Sequence, residues 1–124
     1  VTPPADNRQH GRDFSPILRG EAIPDWRTET FGQYDLHNAG LAFMRMARDG
    51  NWKLVRHHLS FGGNELYDLK NDPLEKQNRF YDKKTGDVRD ALQGKLTAWE
   101  RSIDDPVLKL DANRPIESGP PVGQ

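Results

Sequence analysis

Apolar residues in this chain recur with two different periods. In 42–48, Phe43, Arg45 and Ala47 alternate with Met44 and Met46; in 52–57, Trp52, Leu54 and Arg56 alternate with Lys53, Val55 and His57. A period of two is that of an extended strand with two distinct faces. Asp49-Gly50 lies between the two runs, a dipeptide suited to the positive φ angles of a tight turn, so the pair predicts a β-hairpin. Residues 28–36 mix β-branched and aromatic positions with polar ones and predict a strand before the hairpin. Residues 65–69 predict a fourth strand, entered from the loop-forming Phe61-Gly62-Gly63-Asn64 and ended by Asn71-Asp72-Pro73. The four read as an antiparallel meander.

Past Thr85-Gly86 the period becomes helical. Val88, Leu92, Leu96, Trp99 and Ile103 follow one another at steps of four, four, three and four, which makes one apolar stripe of an amphipathic helix over 87–103. Asp87 is placed to cap it, Arg89, Asp90, Gln93, Lys95 and Glu100 fall on the opposite face, and Asp104-Asp105-Pro106 stops it. Gly94 costs that helix about 1 kcal/mol relative to alanine, which packing of the stripe on the sheet offsets. The two ends carry no such pattern. Residues 1–26 contain Pro3, Pro4, Pro16 and Pro24 and predict an irregular lead-in, with a single helical turn between Asp13 as N-cap and Gly20 past its end. Residues 106–124 form a Pro/Gly-rich tail with little to bury. The predicted fold is α+β: a four-stranded antiparallel sheet over 27–105 with one C-terminal amphipathic helix packed on it.

Composition narrows the function. With 124 residues, 34% hydrophobic and 20 glycines and prolines among them, the chain has room for one small core. Eighteen Lys and Arg against nineteen Asp and Glu give a net charge of −1, which lacks the basic footprint of a nucleic-acid binder. No apolar run is long enough to span a membrane, and no positive-then-apolar segment opens the chain. The absence of cysteine removes disulfides, thiolate metal sites and cysteine nucleophiles.

The histidines do not assemble a metal site by spacing. His57 and His58 are adjacent, so on a strand they point to opposite faces, and His10 and His37 lie in loop-like contexts without a His-x-x-x-His or calcium-loop pattern. Each reads as a surface or hydrogen-bonded histidine. Ser15, Ser60, Ser102 and Ser118 lack a Gly-x-Ser-x-Gly elbow, and Gly62-Gly63 lacks the rest of a phosphate-binding loop. Asp104-Asp105 reads as turn chemistry, and Trp26, Trp52 and Trp99 as packing residues. No catalytic or metal-ligating residue is predicted.

One stretch is more specific. Arg45-Met46-Ala47-Arg48-Asp49-Gly50-Asn51-Trp52-Lys53-Leu54-Val55-Arg56, followed by Asn64-Glu65-Leu66-Tyr67-Asp68-Leu69-Lys70-Asn71-Asp72-Pro73-Leu74-Glu75-Lys76-Gln77-Asn78, resembles the carboxy-terminal part of formylglycine-dependent, arylsulfatase-like sulfatases. The family pattern is Arg-x-x-Arg, a short turn, Trp/Tyr-Lys-Leu, then Glu-Leu-Tyr-Asp-Leu-x-x-Asp-Pro-x-Glu-x-x-Asn. Upstream, Gly11-Arg12-Asp13-Phe14-Ser15-Pro16-Ile17-Leu18-Arg19-Gly20 is similar to the segment that precedes this subdomain in the family.

The resemblance implies a four-stranded sheet and helix set beside a larger N-terminal catalytic domain of the same protein. It implies a parent that is a sulfuric ester hydrolase acting on a sulfated small molecule or glycan, in a periplasmic or secreted location. The family's formylglycine arises from a Cys/Ser-x-Pro-x-Arg signature and its Ca²⁺ is held by Asp and Asn residues far upstream. Both are expected in that catalytic domain, since Ser15-Pro16-Ile17-Leu18-Arg19 has its proline one place too early. The chain alone is therefore expected to be inactive and to bind Ca²⁺ no better than millimolar. The alternative is a stand-alone, non-catalytic binding module of related fold for sulfated carbohydrate. Two further expectations follow from the resemblance. Phe31, Tyr34, Phe43, Met44, Met46 and Trp52 should divide between a face packed on the helix and a face left for the catalytic domain. Gln33, His37 and Asn38, between first strand and hairpin, are the candidate substrate-binding residues, because the subdomain borders the mouth of the family's catalytic cleft.

Overall fold

The computed structural model describes residues 11–37, 40–58 and 63–111. Along the chain run α1 (Ser15–Leu18), β1 (Thr30–His37), β2 (Gly40–Arg48), β3 (Trp52–His57), β4 (Glu65–Asp68), a 3-10 turn (Lys83–Thr85), α2 (Gly86–Ser102) and α3 (Val107–Asp111). The strands form one antiparallel sheet in the order β1-β2-β3-β4. The α+β meander with a packed helix is the architecture expected from the two periodicities.

Register explains where the core sits. Phe31 stands opposite Ala47, Ala47 opposite Leu54 and Leu54 opposite Leu66, so one row of apolar residues crosses all four strands on one face. Ala47, Leu54 and Leu66 are fully buried there against Leu92 and Leu96 of α2 and Phe80 of the β4–α2 connection. Trp52, Val88 and Trp99 close the edges, and the Trp99 ring stacks on Phe31 at 5.2 Å between centroids. The alternate residues point away from α2. Met44, Met46, Val55 and Tyr34 occupy that second face, and none of them is buried.

Several local details differ from the sequence reading. Neither Gly50 nor Asn51 adopts the left-handed backbone expected of the hairpin turn. Instead the Asp49 carboxylate closes it, accepting from the amides of Asn51 and Trp52, both at 2.8 Å. This is an Asx-type solution that needs no positive φ. The N-cap position of α2 is Thr85, with Asp87 inside the first turn, because the 3-10 turn capped by Asp82 runs straight into the helix. The N-cap position of α1 is Phe14, without a side-chain cap, and not Asp13; Asp13, one residue earlier, accepts from the Ser15 amide at 2.8 Å, while Gly20 takes φ 77° beyond the helix, as its position suggested. Val107–Asp111, within the segment read as tail, is helical and buries Val107 completely. Glu100, assigned to the polar face of α2, is 2% exposed. It follows Leu96 by four residues and so shares the buried stripe.

Candidate functional site

The β1–β2 end of the sheet is irregular for a visible reason. Between Tyr34↔Met44 and Leu36↔Leu41 the register shifts, so that β2 carries an extra residue, and Phe43 takes φ 42°. A bulge of this kind re-aims the side chains beside it. The Phe43 carbonyl accepts from the His58 amide at 3.0 Å, which ties the bulge to the end of β3.

Arg45 anchors this end from beneath. Its side chain is fully buried; Nε and Nη2 donate to Asp105 Oδ2 and Oδ1 at 2.6 and 2.9 Å, and Nη1 donates to Asp35 Oδ1 and to the Met44 carbonyl. One planar guanidinium thus joins β1, β2 and the turn between α2 and α3, with the forked geometry that arginine and carboxylate share. Burial pulls the Arg45 guanidinium down, but its hydrogen bonds with Asp105 and Asp35 outweigh burial and leave it above its ordinary value. Burial likewise pushes Asp105 up, and the Arg45 hydrogen bonds together with the Val107 amide overcome it, holding the carboxyl below its usual range. Asp105 is therefore an anchor and a poor proton acceptor. Beside it, buried His58 stands with Nε2 3.9 Å from Glu100 Oε1.

A second polar group lies on the other face. His57 Nε2 is 2.9 Å from Glu65 Oε1, and the Tyr67 hydroxyl donates to Glu65 Oε2 at 2.8 Å. The bond to His57, then the bond from Tyr67, hold Glu65 below the usual carboxylate range against the effect of burial. Burial and the neighbouring Glu65 push the Tyr67 phenol up to about 12. Lys53 reaches from the same face to Glu75 at 2.5 Å, passing over the Tyr67 ring.

The sequence-derived candidates are only partly brought together. Gln33 is exposed on β1 and its amide donates to Asp35 Oδ2 at 3.1 Å, which connects it to Arg45. His37 ends β1 with its backbone opposite Gly40, and its side chain, like the whole of Asn38, lies outside the described residues. His57 and His58 do diverge, one to Glu65 and the other toward Glu100. The Arg45–Asp35–Asp105 cluster was not foreseen. Asp105 does perform the expected turn role, accepting from the Val107 amide at 3.0 Å, but its partner lies sixty residues away in sequence. The available signal was an arginine in register with Ala47 on the buried face of β2, since an arginine there requires a carboxylate from another element. Among the described residues no three His, Asp or Glu side chains converge as metal ligands, so they do not fit a calcium cage.

Comparison with known proteins matches the sheet-and-helix fold. Over 98% of its length the chain superimposes on a 2-O glycosaminoglycan sulfatase, with 22% identity, a TM-score of 0.73 and coverage of 28% of that protein. A sulfatase candidate from Bacteroides thetaiotaomicron VPI-5482 matches over 97% of the chain at 24% identity and a TM-score of 0.74, with 25% of that protein covered. The phosphonate monoester hydrolase of Agrobacterium radiobacter matches over 75% at 26% identity and a TM-score of 0.63, with 21% covered. The chain thus spans about a quarter of the length of these solved structures. A comparison with curated proteins finds no match. The model of the carboxy-terminal region of N-sulphoglucosamine sulphohydrolase matches residues 1–102. By that match across most of its length, the chain belongs to the N-sulphoglucosamine sulphohydrolase C-terminal family, a family of sulfatase carboxy-terminal domains.

Proposed function

We propose that this chain serves as the substrate-flanking carboxy-terminal subdomain of a sulfuric ester hydrolase, working with an N-terminal catalytic domain of the same protein. The observation that carries the reading is the family match over residues 1–102, on a sheet-and-helix fold shared with sulfatases. The formylglycine nucleophile and Ca²⁺ belong in this reading to the catalytic domain, which supplies the sulfur–oxygen chemistry. The subdomain supplies a rigid edge. Its β1–β2 end is pinned through Asp35 and Arg45, and in this reading Gln33, His37 and Asn38 serve as donors to sugar hydroxyl or sulfate oxygens.

The test uses the full-length protein, assayed for sulfate release from an activated aryl sulfate and from N-, 2-O- and 6-O-sulfated glucosamine-containing oligosaccharides. His37→Ala should raise KM for one sulfated sugar at least several-fold while leaving kcat on the aryl sulfate nearly unchanged, the signature of a lost remote contact. A variant that is kinetically silent on every substrate removes the segment from the site. Hydrolysis of a phosphonate monoester with no sulfate release would reassign the chemistry. A full-length protein that binds sulfated glycans without turnover would favour the binding-module alternative.

A further inference from the structure

The lead-in to the sheet holds a pair of cations that the fold leaves unneutralised. Of the three tryptophans, Trp52 and Trp99 pack against the core and Trp26 does not, although all three read as packing residues in the sequence. The half-buried Trp26 indole carries two exposed arginines instead: the Arg12 Cζ lies 5.1 Å and the Arg27 Cζ 5.4 Å from its ring centroid. The local backbone builds this group. Asp25 takes φ 55° directly before Trp26, and its carbonyl accepts from Arg12 Nη1 at 2.6 Å, so the turn brings residue 12 to residues 26 and 27.

The charges around the pair point to a ligand. Asp13 is bonded to the Ser15 amide and hydroxyl, Glu21 to Arg19 at 2.7 and 3.2 Å, and Glu29 to Lys95. Among the described residues neither Arg12 nor Arg27 pairs with a carboxylate, the neighbouring Asp25 included. Two like charges on one ring repel each other, and an anion would relieve them. An indole engages a guanidinium through its face and leaves the in-plane N–H donors free. Apart from the one bond from Arg12 to the Asp25 carbonyl, those donors meet no acceptor among the described residues. They are held in place and remain available, which is how a recognition site lowers the cost of binding.

We infer that Arg12 and Arg27, stacked on Trp26, bind the sulfate groups of a sulfated glycan several sugars long. The inference rests on the proposed sulfatase reading for its ligand class and adds a site to that reading. A sulfate group offers the oxygens that a guanidinium fork binds in parallel. Each contact at an exposed arginine is weak, so a single free sulfate gains little, whereas sulfates linked along one chain engage both forks together. The chain as a whole has a net charge of −1, so attraction for a polyanion has to be local, and this pair supplies it.

The probe is immobilised heparin, a densely sulfated glycan, and the measurement is the salt concentration at which the full-length protein elutes. Arg12→Gln with Arg27→Gln should elute at lower salt than wild type. Lys83→Gln with Lys84→Gln removes two charges from the exposed 3-10 turn and should elute with wild type. On a heparin octasaccharide the arginine variant should raise KM roughly five- to tenfold, and the lysine variant should leave it unchanged. Equal losses in the two variants would reduce the site to diffuse charge and overturn the inference, as would unchanged retention of the arginine variant. Wild-type retention that survives on desulfated heparin would assign the contacts to carboxylates and overturn it too. A lower melting temperature of the arginine variant with unchanged retention would give the pair a structural role in place of this one. Sulfate release from an aryl sulfate by the wild-type protein separates the site from the reading beneath it. Release with retention independent of the arginines sinks the site alone, whereas arginine-dependent retention without release keeps the site and sinks the sulfatase reading.

Discussion

Replacing Arg45 by methionine should be among the most damaging single changes in this chain. The substitution keeps much of the aliphatic stem but leaves the Asp105 carboxylate, whose side chain is 0% exposed, without its cation. Removing one partner of a buried ion pair costs about 3–5 kcal/mol, a large share of the roughly 5–15 kcal/mol that stabilises a typical domain. Asp35 adds little to the loss, because its side chain is 36% exposed and can be rehydrated. The decisive comparison is Arg45→Met with Asp105→Asn. Asparagine removes the charge but keeps an oxygen for the Val107 amide, so the double variant should recover about 2 kcal/mol or more relative to Arg45→Met alone.

Urea titration followed by tryptophan fluorescence at neutral pH measures all three proteins, with an unchanged m-value as the check that only stability moved. The acid limb gives a second readout with an opposite sign. Asp105 is depressed in the native protein, so the stability it contributes is present above its unfolded value near 4 and is lost as pH falls through the lower folded value. In Arg45→Met, burial acts on Asp105 without the arginine, its folded value rises, and mild acid should stabilise the variant relative to neutral pH. An Arg45→Met protein within 1 kcal/mol of wild type, or a double variant no more stable than the single, would refute this reasoning.

Two other substitutions probe motif residues. Asn78 accepts from the amides of Leu66 and Phe80 at 3.1 and 2.9 Å and donates to the Asn64 carbonyl at 3.0 Å, so Asn78→Ala should destabilise by about 1–2 kcal/mol in chemical denaturation, and Asn78→Asp should recover part of that. Tyr67, raised to about 12, contributes stability that is fully present below its unfolded value near 10 and is lost as pH rises through 12; wild type minus Tyr67→Phe in denaturation midpoint should therefore shrink over that interval, and a constant difference would remove Tyr67 from the account.

Much of the fold was legible because its signals are local and periodic. β3 begins and ends where the alternation of Trp52, Leu54 and Arg56 does, and α2 departs from the predicted 87–103 by one residue at each end. The Asp72-Pro73 turn was readable for the same reason, and its carboxylate accepts from the Gln77 amide at 2.8 Å. What escaped was tertiary. Glu100 looks like a solvated helix residue until its position one turn after Leu96 is combined with His58 at the end of β3. The Arg45–Asp105 pair spans two elements and leaves no mark of spacing in the sequence. The hairpin turn shows a different failure. Asp-Gly predicts a backbone type, and the aspartate side chain provided another route to the same reversal. Of the candidate site, Gln33 was placed and found bonded to Asp35, whereas Asn38 lies outside the described residues.

The central claim, that these residues form the carboxy-terminal subdomain of a longer sulfatase, is tested most directly by reading the coding sequence upstream of Val1. The account predicts an open frame encoding an α/β domain with a Cys/Ser-x-Pro-x-Arg signature and the Asp and Asn residues of a calcium site. A stop codon directly upstream, or a frame that encodes a domain without that signature, would contradict it.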